Sequence, residues 1–413
     1  MERTTTVIIG AGQTGLAMSR ELAARGVDHL ILERGKIANS WRRERWDSLR
    51  LLTPNWMNGL PGAAYDGSDP EGYMTASAFA GRLERYAAAN AAPVRDETTV
   101  LGVQASGAGY RVQTDQGAIG CGTLVIATGA AASANRPAFA RDLPAGIAQI
   151  TPLDYKRPGD LPPGRVLVVG ASASGSQIAR ELQRAGRDVT LAVGAHVRVP
   201  RRYRSTDVLA WLDIIGRWND RFDAVEDLDR QRALPSLQLT GLAGDNPLGL
   251  NELQEIGVEI VGRMAGIRDG IALFSGSLAN HCASADLKQN RFLAEIDAWV
   301  RENGLDPLLP APDRPAATRI PHAPRLTIDL AREGFGAVVW ATGTGPDHAW
   351  LNLPVFDRKG RIRHHGGVVA DGLYVMGLPF LRSRKSTFID GAGDDARDLA
   401  AHLATRLGQR RAA

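Results

Sequence analysis

The stretch Val7–Gly35, "VIIGAGQTGLAMSRELAARGVDHLILERG", decides the fold. Thr6–Ile9 is β-branched and apolar and stops at Gly10, as a short buried strand does. Gly10, Gly12 and Gly15 then match G-x-G-x-x-G. In that pattern the first glycine makes the tight turn and the second lets backbone approach a pyrophosphate. The third lets the following helix, here with Leu16 and Leu22 on its buried side, pack on the strand. The helix start offers free amides and a partial positive charge to phosphate. A second strand, His29–Leu32, ends at Glu33, whose carboxylate is placed to accept hydrogen bonds from ribose hydroxyls.

The chain repeats the device. Val166–Val169 is another apolar strand, followed by "GASASG" from Gly170 to Gly175. Gly170, Ser172, Ser174 and Gly175 form the second turn, with serine in place of the middle glycine. The spacing is not that of a hydrolase elbow, because Ser174 stands where G-x-S-x-G requires glycine. A helix over Gln177–Arg184 and a strand over Asp188–Val193 complete the unit. This strand ends without a carboxylate, and Arg198, Arg201, Arg202 and Arg204 follow it. Guanidinium groups bind a 2′-phosphate that a carboxylate would repel. The first turn therefore suits FAD and the second NADPH. Arg198 and Arg202 are the preferred phosphate ligands, with Arg201 beside them; a solvated basic loop is the other reading.

Composition narrows the class. The chain has 413 residues, 44% apolar and 23% charged, with net charge +4. That size allows two cores, and the mild charge gives no reason to expect nucleic acid or membrane as a partner. Cys121 and Cys282 are the two cysteines. Far apart and without C-x-x-C, they supply neither a redox dithiol nor a metal site, and no metal is expected. With no leader and no long apolar run, the expected location is cytoplasmic.

Two turns in this order resemble the class B flavin-dependent monooxygenases, which include flavin-containing monooxygenases, N-hydroxylases and Baeyer–Villiger enzymes. "WRRERWDSLRLLTPNWMNGLPG" (Trp41–Gly62) is similar to the family segment that lines the flavin. "LVIATG" (Leu124–Gly129) and "VVWATG" (Val338–Gly343) look like the strand ends that join its two domains. "DGLYVMGLP" (Asp371–Pro379) resembles its last FAD-binding strand, followed by the closing helix. The resemblance implies an α/β fold of two Rossmann-like dinucleotide-binding domains, the NADPH domain inserted in the FAD domain. The expected divisions are 1–154 for the first FAD part, 155–330 for the NADPH domain and 331–413 for the second FAD part.

By the same resemblance, Gln13, Arg34, Trp41, Trp46, Leu52, Thr53, Val100, Ala127, Thr128, Gly129, Gly377 and Leu378 belong with the flavin cofactor. Thr342 and Gly343, at the second of the strand ends that join the domains, are likewise expected to bind cofactor. Arg50 is the candidate catalytic cation, or else a structural ion-pair partner. The implied activity is NADPH- and O2-dependent oxygenation of a small molecule at nitrogen, sulfur or a carbonyl carbon through a flavin C4a-(hydro)peroxide.

Leu52 stands where many relatives carry Asn or His. Of the family fingerprint before the second unit, represented here by Ala145, Ile147, Thr151 and Tyr155, only the aromatic persists. These departures keep open an FAD-dependent NADPH oxidase or reductase. A non-enzymatic FAD/NADP-binding redox sensor is the third reading, and a homodimer is possible. The segment 204–250 is expected either to cover the substrate or to form a helical layer on the second sheet, with Val208, Leu212 and Ile215 on one face.

Overall fold

The computed structural model describes residues 1–242 and 248–412. The first unit comprises β1 (Glu2–Ile9), α1 (Gln13–Ala23), β2 (His29–Leu32) and β3 (Gly117–Ile126). The second comprises β4 (Ala148–Ile150), β5 (Arg165–Val169), α2 (Ala173–Arg184), β6 (Val189–Val193), α3 (Val208–Ile214), β7 (Glu259–Gly262), α4 (Leu278–Glu302) and β8 (Phe335–Trp340). The chain closes with β9 (Leu373–Val375) and α5 (Gly391–Ala412).

In the first sheet β2, β1, β3 and β9 lie side by side and parallel, with Ile9 beside Leu32 and Ile126. Val7 and Ile8 are fully buried, as a central parallel strand covered on both faces requires. The second sheet has the order β7-β6-β5-β8-β4, also parallel. Ile178, Ala179 and Leu182 of α2 pack with Val166, Val168 and Leu191 on one face of it. Trp340 fills the other face with Leu167 and Phe274.

The expected divisions at 155 and 330 are therefore misplaced. Strands β4 and β8, on either side of that interval, both belong to the second sheet. A three-residue strand such as β4 has too little periodicity to be read from the chain. The two crossings between sheets are paired with each other: Ser133–Ala134 runs antiparallel to Thr344–Gly345. The Asn135 amide donates to the Gly343 carbonyl at 2.9 Å, and Thr342 Oγ1 donates to the Asn135 carbonyl.

The segment after β2 serves both halves. Trp41 packs against both cores, and Trp46 and Leu49 are buried in the second. Lys156, in the linker, holds that segment by donating to the carbonyls of Arg43 (2.5 Å) and Arg45 (3.1 Å). No helix among the described residues is long and apolar enough to cross a membrane.

Candidate functional site

The two glycine turns are built alike. Gly10 and Gly170 take φ of +107° and +108°, a region open to glycine. Their amides donate to the ends of the neighbouring strands, Gly10 to Leu32 (2.8 Å) and Gly170 to Ala192 (3.0 Å). A Cβ on Gly15 would lie 1.9 Å from the Gly10 carbonyl oxygen, and one on Gly175 would lie 1.8 Å from that of Gly170. Each helix can therefore sit directly against its turn only if its third position is glycine.

The middle positions also match. Gly12 has φ −83° and ψ −173°, and Ser172 has φ −80° and ψ −172°. That backbone accepts any L-residue, which is why serine is tolerated at 172. Neither residue makes a side-chain cap, so the first amides of α1 and α2 have no partner from the cap side chain. A Cβ at Gly12 would meet nothing within 4 Å, so the space over the first turn is open.

That space is the inner part of a cleft of about 500 Å³. Of the expected contacts, Gly10, Gly12, Gln13, Glu33, Arg34, Trp41, Val100, Ala127, Thr128, Gly129 and Gly377 line it. Glu33 is buried, and its carboxylate accepts from the Ala11 amide (2.8 Å) and the Gly35 amide (3.2 Å). These bonds fix it at the rim with lone pairs to spare. Trp41 donates from Nε1 to Gln13 Oε1 at 3.2 Å and meets Phe79 edge-on at 5.0 Å. Thr128 Oγ1 is buried and has no partner among the described residues. Uncapped amides, a rim carboxylate, an aromatic wall and an orphaned hydroxyl fit a dinucleotide with a free ribose.

Other expected residues lie elsewhere. Gly15 underlies the turn, and Trp46 faces the second core. Thr53 is buried and donates to Asn58 Oδ1 (2.5 Å), while Leu378 packs on the first core. Arg50 is exposed and donates to the Tyr73 carbonyl at 2.8 Å, outside the cleft lining. Leu52 joins Trp56, Met57, Val208, Leu209 and Trp218 in a separate apolar cluster.

The arginine loop departs from expectation most clearly. Arg198 is 7% exposed and pairs with Asp286 at 2.6 Å. Burial alone would raise the Asp286 carboxyl, but Thr318 and Arg198 hold it below its ordinary value. Arg201 is 6% exposed; it pairs with Asp207 at 2.5 Å, donates to the Leu52 carbonyl at 2.8 Å and lies over the Tyr73 ring. Arg204, 4% exposed, pairs with Asp306 and donates to the Pro310 carbonyl. These three guanidinium groups anchor the loop to neighbouring elements, so they are not presented to a phosphate. Arg202 lies on the short hairpin Arg202–Asp207 and donates to the Ser205 carbonyl.

Residues 204–242 and 248–250 of the candidate cover are described, and 243–247 lie outside the described residues. Helix α3, N-capped by Asp207, does not layer on the second sheet. Val208 and Leu212 join the cluster with Leu52, Trp56 and Met57, while Ile215 joins one containing Tyr203, Trp211 and Leu293. Trp218 stacks edge-on with Phe388 at 4.8 Å. Lys385 pairs with Asp213 (2.7 Å) and Arg384 with Asp220 (2.7 Å), so the basic run before α5 ties down this segment.

Several lining residues had no signal in sequence. Arg45 lies over the Trp41 ring at 5.1 Å, and burial lowers its pKa. Glu44 lines the cleft beside Arg34, its ion-pair partner. Asp347 and Trp350 enter it from the return crossing, where Trp350 accepts from the Val103 amide at 2.9 Å. The buried thiols of Cys121 and Cys282 are pushed up to about 12 and about 11 by desolvation, a state unsuited to exchange chemistry.

A family model described as pyridine nucleotide-disulphide oxidoreductase matches residues 7–218. Over 394 residues the chain is 29% identical to an uncharacterized oxidoreductase CzcO-like of Geobacillus kaustophilus, covering 94% of this chain and 95% of that one. It is 32% identical over 342 residues to indole-3-pyruvate monooxygenase YUCCA6 of Arabidopsis thaliana, covering 73% and 78%. A flavin-containing monooxygenase from Stenotrophomonas maltophilia shares the fold with a TM-score of 0.68, at 17% identity over 98% and 99% of the chains.

Proposed function

Because the chain belongs to the pyridine nucleotide-disulphide oxidoreductase family, as one of its flavin monooxygenases, we propose that it is an NADPH- and O2-dependent FAD monooxygenase of a small molecule. The observation that carries this reading is the pair of turns with matching backbone angles, Gly10–Gly15 and Gly170–Gly175. Each has an uncapped helix start, and Trp41–Leu49 touches both cores.

FAD bound at the first turn supplies hydride acceptance and oxygen activation. The chain's own residues bind, orient and exclude water. The amides at the start of α1 take the pyrophosphate and Glu33 takes the adenosine ribose. Trp41, held by Gln13, gives the cleft a rigid wall. Thr387 lines the cleft, and α5 begins four residues later, bringing a positive helix end to that side. The second turn receives the nicotinamide dinucleotide. The cover, fixed by Trp218–Phe388 and Lys385–Asp213, keeps water out of the space between the halves.

A second reading, NADPH oxidase or reductase, is favoured by one observation: Leu52 sits among apolar side chains where many relatives place a polar one. One experiment decides between them. The purified yellow protein is mixed with NADPH without oxygen, flavin bleaching is followed, and O2 and a panel of amines, sulfides and ketones are admitted. Oxygenated product in proportion to NADPH consumed is expected. Hydrogen peroxide equal to all NADPH consumed, with every substrate, establishes the oxidase. A protein that neither carries nor takes up FAD ends both readings.

A further inference from the structure

With Arg198, Arg201 and Arg204 tied to carboxylates or backbone, the loop after β6 leaves a 2′-phosphate without those three cations. We propose that Arg263, on the neighbouring strand end, is the residue that reads the 2′-phosphate of NADPH. This rests on the reading that the second turn holds a nicotinamide dinucleotide.

In a unit of this kind the adenosine ribose lies at the carboxyl end of the strand that follows the glycine-turn helix, which here is β6. Strand β7 runs parallel to β6, with Val193 beside Gly262 as the last pair. The next residues, Gly194 and Arg263, therefore leave the same edge of the sheet together. A Cβ built on Gly194 would lie 3.6 to 3.9 Å from Arg263 Cγ, Cδ and Cβ. The aliphatic stem of Arg263 thus rests over the bare backbone at the ribose position. Arg263 is exposed, and among the described residues its guanidinium meets no carboxylate. Its planar fork is free to make the bidentate contacts that phosphate favours.

The surroundings suit an anion. No acidic residue ends β6: the Gly170 amide meets Ala192 as the Gly10 amide meets Leu32, so Val193 stands where the first unit has Glu33. The Arg263 carbonyl accepts from the Ser275 amide at 2.9 Å, which brings the Ser275–Ser277 bend to this edge. Helix α4 starts there with no side-chain cap from Ser277 and no acidic residue in its first turn. Asp286, two turns further along, is already engaged by Arg198 and Thr318.

The test is equilibrium binding of 2′,5′-ADP and 5′-AMP to the flavin-loaded protein by calorimetry, for the wild type, Arg263→Ala and Ser277→Asp. The wild type is expected to prefer 2′,5′-ADP. Arg263→Ala should weaken 2′,5′-ADP 10- to 100-fold and leave 5′-AMP within twofold. Ser277→Asp places a carboxylate at this edge, where negative charge also suits the start of α4, so the same selective loss should come without a fall in melting temperature. Equal weakening of both nucleotides by Arg263→Ala would make Arg263 an adenine contact and overturn the proposal, as would no change in either. A wild type that binds both nucleotides equally also overturns it while sparing the nicotinamide site. A wild type that binds neither removes that site as well.

Discussion

The open space above Gly12 gives the sharpest test of the first turn. Substituting Gly12→Ala puts a methyl where the folded chain offers no obstacle, at φ −83°. The fold should hardly register it. Alanine at this backbone geometry restricts the unfolded chain, worth about 0.4–1 kcal/mol in favour of folding, while losing about 0.5–1.5 kcal/mol as a poorer cap than glycine, so the two nearly cancel. The cofactor, however, must come closer than a methyl allows. Amide-to-phosphate hydrogen bonds need about 2.9 Å, whereas carbon keeps other heavy atoms at about 3.5 Å. The phosphate backs away, and one or two charge-assisted hydrogen bonds of about 1.5–3 kcal/mol each are lost. A loss of 2–4 kcal/mol corresponds to roughly 30- to 1,000-fold in the dissociation constant. Fluorescence titration of the apoprotein with FAD reads that number, and urea unfolding of the same preparation reads the stability. A variant that binds FAD as tightly as the wild type, with unchanged stability, would show that no pyrophosphate lies over Gly12. Equal loss of stability and affinity would show that the space serves the fold.

Other substitutions separate structural from binding roles. Gly175→Ala forces a Cβ to within 1.8 Å of a backbone oxygen; α2 must shift, and nicotinamide dinucleotide binding should fall at least 100-fold while FAD content stays at wild-type level. Arg198→Ala leaves Asp286 with Thr318 alone and should destabilise by about 2–3 kcal/mol in urea, without altering the ratio of NADPH to NADH affinity. A tenfold change in that ratio at unchanged stability would restore Arg198 as a phosphate ligand. Burial lifts the Asp395 carboxyl to about 7, so the folded state holds a proton that the unfolded chain releases near 3.8. Stability then falls as pH rises from 4 to 7, by on the order of 4 kcal/mol in all. Asp395→Asn should flatten that slope and stabilise the protein at pH 8 but not at pH 4; parallel curves for the two proteins would refute it.

What could be read from the chain was what local backbone geometry requires. Gly10, Gly15, Gly170 and Gly175 are demanded by contacts within a few residues or with an adjoining strand end, so their spacing carries the fold with it. Glu33 follows directly from the end of β2. The arginines after β6 were legible as charge but not as placement. Whether a guanidinium faces solvent or a carboxylate 88 residues away, as Arg198 faces Asp286, depends on how α4 packs. Arg45, Asp347 and Trp350 were invisible for the same reason: they line the cleft because distant segments converge, and no period or motif marks them. The apolar face of α3 was visible, yet periodicity names no partner for it, and that partner proved to be the segment carrying Leu52 and Met57 rather than a sheet.

The difference between the two turns at their middle position bears on how the halves work together. Ser172 has the same backbone angles as Gly12 but carries a Cβ and a hydroxyl where the first turn has open space. By the reasoning applied to Gly12→Ala, a pyrophosphate over the second turn would sit further from its helix and bind less tightly than one over the first. A flavin that stays and a nicotinamide that exchanges each turnover require that asymmetry. Ser172→Gly removes that Cβ and should therefore tighten NADP binding by about 30-fold or more on the same arithmetic and slow its release, seen as a lower off-rate in stopped-flow displacement. A faster off-rate would mean that the serine hydroxyl is itself a ligand, and the looseness of the second site would need another source.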